Sequence, residues 1–254
     1  MSVQTLQKSE GKTSVSSGLR LSAKNVFMTL VAVSVTLVVI SFVGVVILNP
    51  YEGDPYNGSE LATPTALSKI VLRFDVIQEG NIPAWFSGVI LFVASALLGV
   101  IGAQKYVQRD RFRWQWLALA GLFLLFSLDE IAYLHEGVSN FMKQQSNEIM
   151  QLGYIVPAVI FVGIVGLWYL PFIRGLPPQT RRQIILAAFL FVFGALKLEI
   201  VENVLLRTHD LQSALVLTVN HFQDLLEMLG VSLFIYALLA YIRSHMSPLR
   251  LVVH

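Results

Sequence analysis

Six apolar runs of about twenty residues set the limits on what this chain can fold into: Asn25–Leu48, Pro83–Ala103, Trp114–His135, Tyr154–Ile173, Gln183–Asn203 and Val216–Tyr241. Coiled as a helix at about 1.5 Å per residue, each run matches the hydrocarbon thickness of a bilayer. Inside hydrocarbon, every backbone amide must find its partner within its own segment. The expected architecture is therefore all-α, a polytopic membrane bundle of six transmembrane helices. Composition agrees, with 55% of the 254 residues hydrophobic and 13% charged, where a soluble domain carries about a quarter charged residues. The first run is about twice the length of a signal-peptide core and lacks a small-residue cleavage pattern, so it reads as an uncleaved anchor.

The flanks orient the bundle. Thirteen Lys and Arg fall on the side of the termini and four on the opposite side, with Lys197 left within the fifth run. The positive-inside rule then places both termini in the cytoplasm, and the bacterial inner membrane is the expected location. Residues 1–24 read as a disordered cytoplasmic tail, 25–243 as the transmembrane domain and 244–254 as a second cytoplasmic tail. In the first outer loop, Leu67, Ile70, Val71 and Phe74 fall on one helical face, which predicts a short amphipathic helix in the interface. Ser95, Gly99 and Ala103, four residues apart in the second run, predict a face for close helix approach. The chain has no cysteine, which excludes disulfides and thiolate chemistry, and its net charge of +2 gives no reason to expect a nucleic-acid partner.

The third, fifth and sixth runs break the apolar pattern. They hold Asp129, Glu130, His135 and Glu136; then Lys197, Glu199 and Glu202; then His221, Asp224 and Glu227. Ionisable groups in membrane segments are costly and mark functional sites by default. At about 1.5 Å per residue the three sets come out level, roughly 21–28 Å from the inner face. Seven carboxylates in one layer need compensation by metal, shared protons or water, because neighbouring like charges and desolvation both disfavour ionisation. Glu and His on facing helices are ligand types of carboxylate-bridged iron or manganese sites and of catalytic zinc. The expected metal ligands are Glu130, His135, Glu199, Glu202, His221, Asp224 and Glu227, with Asp129 or Glu136 as general base.

Phe126-Ser127-Leu128-Asp129-Glu130 followed by His135-Glu136, together with Leu226-Glu227-Met228-Leu229-Gly230, resembles a group of uncharacterised bacterial multi-pass membrane proteins. The resemblance covers the third to sixth runs and implies no activity. Ser127, Asp129, His135 and His221 are similar in type to the zinc ligands of the alkaline-ceramidase and progestin-receptor-like superfamily. Six runs rather than seven and the lack of a His-x-x-x-His pair set the chain apart from it.

The sequence thus points to a membrane-embedded enzyme using zinc, iron or manganese, a hydrolase or oxidase acting on a lipid-like or small hydrophobic substrate. Two alternatives stand beside it: a proton- or cation-coupled transporter, and an accessory subunit whose polar network shares protons and fixes helix packing.

Overall fold

The computed structural model describes residues 22–48, 66–78, 80–132, 134, 155–198 and 213–246. Within them the chain forms α1 (Ala23–Leu48), α2 (Ala66–Leu72), α3 (Ile82–Val107), α4 (Arg113–Ala132), α5 (Ile155–Gly175), α6 (Pro178–Val192) and α7 (Ala214–His245), with a π-helical turn, Phe193–Leu198, continuing α6. No strand occurs among the described residues. Helices α1, α3, α4 and α7 are long and apolar enough to cross a bilayer, as in an integral membrane protein. Helices α5 and α6 fall where the fourth and fifth runs were expected, and α2 where the interfacial helix was expected.

Helix α7 is the axis of the bundle. Its 32 residues extend roughly 48 Å, longer than the roughly 30 Å of bilayer hydrocarbon. Ser213 caps its start, the hydroxyl oxygen accepting the Val216 N–H at 3.3 Å and satisfying one of the orphan amides of the first turn. Ile235, Ala237 and Leu238 are fully buried, because α1, α3 and α6 surround this stretch. Phe27 beside Tyr236 and Phe42 beside His221 show that α1 runs antiparallel to α7. Helix α6 does the same on another side, where a side chain at Gly230 would meet the Phe191 nitrogen at 2.8 Å.

Helices α3 and α4 form an antiparallel hairpin. Ser95 and Ser127 each donate across the seam at 2.8 Å, to the carbonyls of Ala120 and Gly88. A side chain at Gly102 would meet Leu117 at 2.6 Å. The close face is therefore Gly88, Ser95 and Gly102, seven residues apart, rather than the expected Ser95, Gly99 and Ala103. Beside Gly99 there is open space, and Ala103 is exposed. A repeat of seven holds one side of a helix, whereas steps of four drift about 40° each time.

The hairpin turn is closed by Asp110. Its carboxylate accepts the Phe112 N–H at 2.8 Å and pairs with Lys105 at 3.1 Å. Burial works against the charged form here, but the Phe112 amide and the Lys105 ammonium outweigh it and hold the Asp110 carboxyl below its usual range. At this end Trp116, Tyr169 and Tyr241 are buried in an aromatic cluster rather than facing lipid as a belt, while Trp114 and Trp168 are exposed as a belt requires.

Candidate functional site

At the opposite end of the bundle three polar side chains meet in the apolar interior. Ser41 of α1 and Asp75, in the turn between α2 and α3, are 0% exposed, and His221 of α7 is 3% exposed. Ser41 Oγ lies 2.8 Å from His221 Nε2 and 3.2 Å from Asp75 Oδ1, and it accepts the Val76 N–H at 3.0 Å. Asp75 Oδ1 also accepts the Ile77 N–H at 3.1 Å, and His221 Nδ1 lies 2.7 Å from the Leu217 carbonyl oxygen.

The turn that delivers Asp75 is held by its own chemistry. Asn81 caps α3 by accepting the Ala84 N–H at 3.2 Å, and its amide donates to the carbonyls of Asp75 and Gln78. Gly80 takes φ 72°, a left-handed conformation that suits glycine. Gly44 leaves room on α1 for Val71 of α2, whose Cγ1 would lie 2.9 Å from an added Cβ.

Proton counting constrains this junction. A carbonyl oxygen only accepts, so His221 Nδ1, facing Leu217, carries a hydrogen. Ser41 has one proton to give and two partners, Nε2 and Oδ1, that both want one. If it goes to Asp75, then Nε2 must itself be protonated to face Oγ. If it goes to Nε2, then Asp75 must be a carboxylic acid. Satisfying all of these contacts at once takes one proton more on the Asp75–His221 couple than a carboxylate with a neutral imidazole carries. Burial raises the Asp75 carboxyl above its usual range, against the Ile77 amide and the Ser41 hydroxyl, which lower it. The order Asp–Ser–His is also not that of a nucleophilic triad, where imidazole sits between the other two. The serine oxygen is enclosed and fully engaged, so it is no nucleophile.

His221 was expected to ligate a metal. Its Nε2 faces Ser41 of α1 and its Nδ1 faces the Leu217 carbonyl, which places it in this junction. Six residues on, about 120° around α7, Glu227 faces the π-helical turn, where a side chain at Gly194 would touch Glu227 Cγ at 2.9 Å. His221 and Glu227 therefore face different sides of α7. Trp116 and Phe123 of α4 lie beside Tyr241 and Phe234 of α7, so the two helices run antiparallel; by residue count Glu130, seven after Phe123, and Glu227, seven before Phe234, fall at about one level. Asp129, Glu130, Asp224 and Glu227 are all half-buried. Among the described residues, no three His, Cys, Asp or Glu side chains stand close enough to hold a metal ion. His135, Glu136, Glu199 and Glu202 lie outside the described residues.

Next to the Glu130–Glu227 level, toward the Lys105 end, lies a cavity of about 340 Å³ between α4, α5, α6 and α7. Phe123, Phe126, Val165, Gly166, Ala188 and Val231 are among its walls. Tyr169 and Phe172 close its floor and anchor α5, with the Tyr169 hydroxyl donating to the Gln115 carbonyl at 2.8 Å and Phe172 edge-on to Trp116 at 4.8 Å. Further along α5, Gly163 and Gly166 meet nothing within 4 Å of an added Cβ, and Phe161 is 48% exposed, so this helix stands away from its neighbours.

Neither Ser41, Asp75 nor the cavity was singled out from sequence. A signal for Ser41 did exist: Ser34 and Ser41, the two serines of the first run, lie a heptad apart, and both are fully buried. The chain belongs to the family described as Domain of unknown function (DUF8692), whose profile matches residues 21–242 and so takes in nearly the whole bundle. No curated protein and no solved structure matches it.

Proposed function

We propose that this membrane protein of the DUF8692 family binds a lipid-like or small hydrophobic molecule between α4, α5, α6 and α7, with its polar end at the Glu130–Glu227 level. The observation that carries the reading is the cavity itself. Its volume of about 340 Å³ falls within the roughly 300–1,000 Å³ of small-molecule sites, and its walls are almost wholly carbon, as such sites require. The standing-off of α5 supports lateral entry from the bilayer, where an apolar ligand is dissolved. The carboxylates level with one another beyond the cavity support an amphiphilic ligand, apolar in its body and polar at one end.

Chemistry on the bound molecule, hydrolysis or oxidation with zinc, iron or manganese, is the further part of the reading. It assigns Glu130 and Glu227 as ligands with His135, Glu199 and Glu202, and Asp129 or Glu136 as base.

Solvent extraction of the purified protein and mass spectrometry of the extract test the binding. One molecule class should be recovered from the wild type and lost in Gly166→Phe, whose ring would enter the cavity. Recovery of bulk lipid alone, in equal amount from both, contradicts the proposal. Elemental analysis tests the second part separately: folded, metal-free protein that still retains the molecule leaves binding as the function.

A further inference from the structure

At the Lys105 end two loops lie side by side for a specific steric reason. Phe112, in the α3–α4 turn, seats in the notch left by Gly175 at the end of α5, where an added Cβ would lie 2.6 Å from its ring. Phe112 also meets Phe172 edge-on at 5.7 Å. This contact brings the α3–α4 turn, with Arg109, Arg111 and the first α4 residue Arg113, beside the short α5–α6 connection, which Arg174 in the last turn of α5 and Arg181 and Arg182 at the start of α6 flank. Arg109, Arg111, Arg174 and Arg182 are exposed. The acid in the first loop, Asp110, is already paired with Lys105.

We propose that these two loops form a docking face for the phosphates of an anionic phospholipid layer. Charge of one sign would follow from membrane orientation alone, and lysine would serve that equally well. Here all six side chains are arginine, whose planar fork matches phosphate oxygens in pairs, and the one lysine nearby is used internally. Arg109 holds φ 53°, a left-handed conformation more costly for an arginine than for a glycine, and its side chain is exposed at the turn. Arg111 lies 5.2 Å from the Phe112 ring, and Arg113 lies 5.4 Å from Tyr106 and 5.9 Å from Trp114. Those rings place the guanidinium groups beside aromatics that settle at the headgroup level, Trp114 and Tyr106 being 56% and 50% exposed.

The test uses the full chain in nanodiscs containing equal phosphatidylcholine and phosphatidylglycerol, then counts the lipids retained on extraction by native mass spectrometry. The wild type should keep phosphatidylglycerol selectively. Selectivity should fall about fivefold for each arginine removed in Arg111→Gln with Arg174→Gln, on the scale of a basic side chain at an anionic surface. The lysine pair, Arg111→Lys with Arg174→Lys, should fall between the two, because it keeps the charge and loses the fork. Gly175→Ala should lower selectivity with every arginine in place, by displacing Phe112. Circular dichroism checks that each variant keeps its helices, and the wild-type arm needs no variant. Equal retention of the two lipids by the wild type, unchanged selectivity in the glutamine pair, or wild-type selectivity in the lysine pair overturns the proposal. Displacement of phosphatidylglycerol by inorganic phosphate would assign the site to free phosphate and overturn docking.

Discussion

Ser41 sits between two proton acceptors with a single proton to share, and the consequences can be read at that one residue. Ser41→Ala removes the oxygen that joins α1, the α2–α3 turn and α7, and it takes the acceptor from the partly buried Val76 N–H. The expected cost is about 1–3 kcal/mol, measured as a fall in unfolding free energy in one fixed detergent. The pH dependence follows from Asp75. Its carboxyl is raised by burial above the ordinary value of 3.8, so the folded state binds that proton more tightly than the unfolded chain does. The stabilisation is then complete below the unfolded value and is lost as pH rises through the folded one. Asp75→Asn should remove that slope. Subtracting the variant's stability from the wild type's at each pH should give a difference that falls and then levels; a flat difference would mean the junction holds no extra proton. The sequence singles out His221 but gives no sign that Ser41 is its neighbour. Its partner lies 180 residues away in a run with no ionisable group beyond Lys24, and nothing local to either residue encodes that meeting.

Among the elements, the glycines divide sharply by how closely their helices approach. At Gly230 an added Cβ meets backbone atoms of α6, the Phe191 nitrogen at 2.8 Å and the Ala187 oxygen at 3.0 Å, and neither can swing aside. Gly230→Ala should therefore destabilise the bundle by about 1–3 kcal/mol. At Gly99, with nothing within 4 Å, the same change should be neutral or stabilising by up to about 1 kcal/mol through helix propensity. Thermal unfolding of the two variants side by side decides this; equal effects would refute the helix spacing described. The long apolar helices were legible because hydrophobic length alone specifies them. The contact face of α3 was not, because small residues four apart and seven apart both look like interfaces until a partner selects one. The stand-off of α5 was also hidden. Its sequence is as apolar as that of α3, and only the absence of interlocking side chains at Gly163 and Gly166 distinguishes a helix that packs from one that borders a cavity.

At the scale of the whole molecule, the charged groups among the described residues are sorted to the two ends of an apolar bundle. One end carries the arginine loops and the Lys105–Asp110 pair, and the other carries the Ser41 junction and the half-buried carboxylates. Residue counting along the helices gives the depth of the acids, and the α4–α7 register is consistent with it for Glu130 and Glu227. Whether they meet His221 was not legible in the sequence, because counting gives depth along a helix but not which neighbour each face meets. The cavity lies between those ends and opens where α5 stands away, which makes occupancy by a membrane-dissolved molecule the central claim. Saturation binding of a brominated long-chain alcohol tests it most directly, followed by native mass spectrometry on the full chain in nanodiscs. The wild type should show one saturable site and Gly166→Phe none; purely linear uptake, identical in the two proteins, would rule out a bound molecule in this cavity.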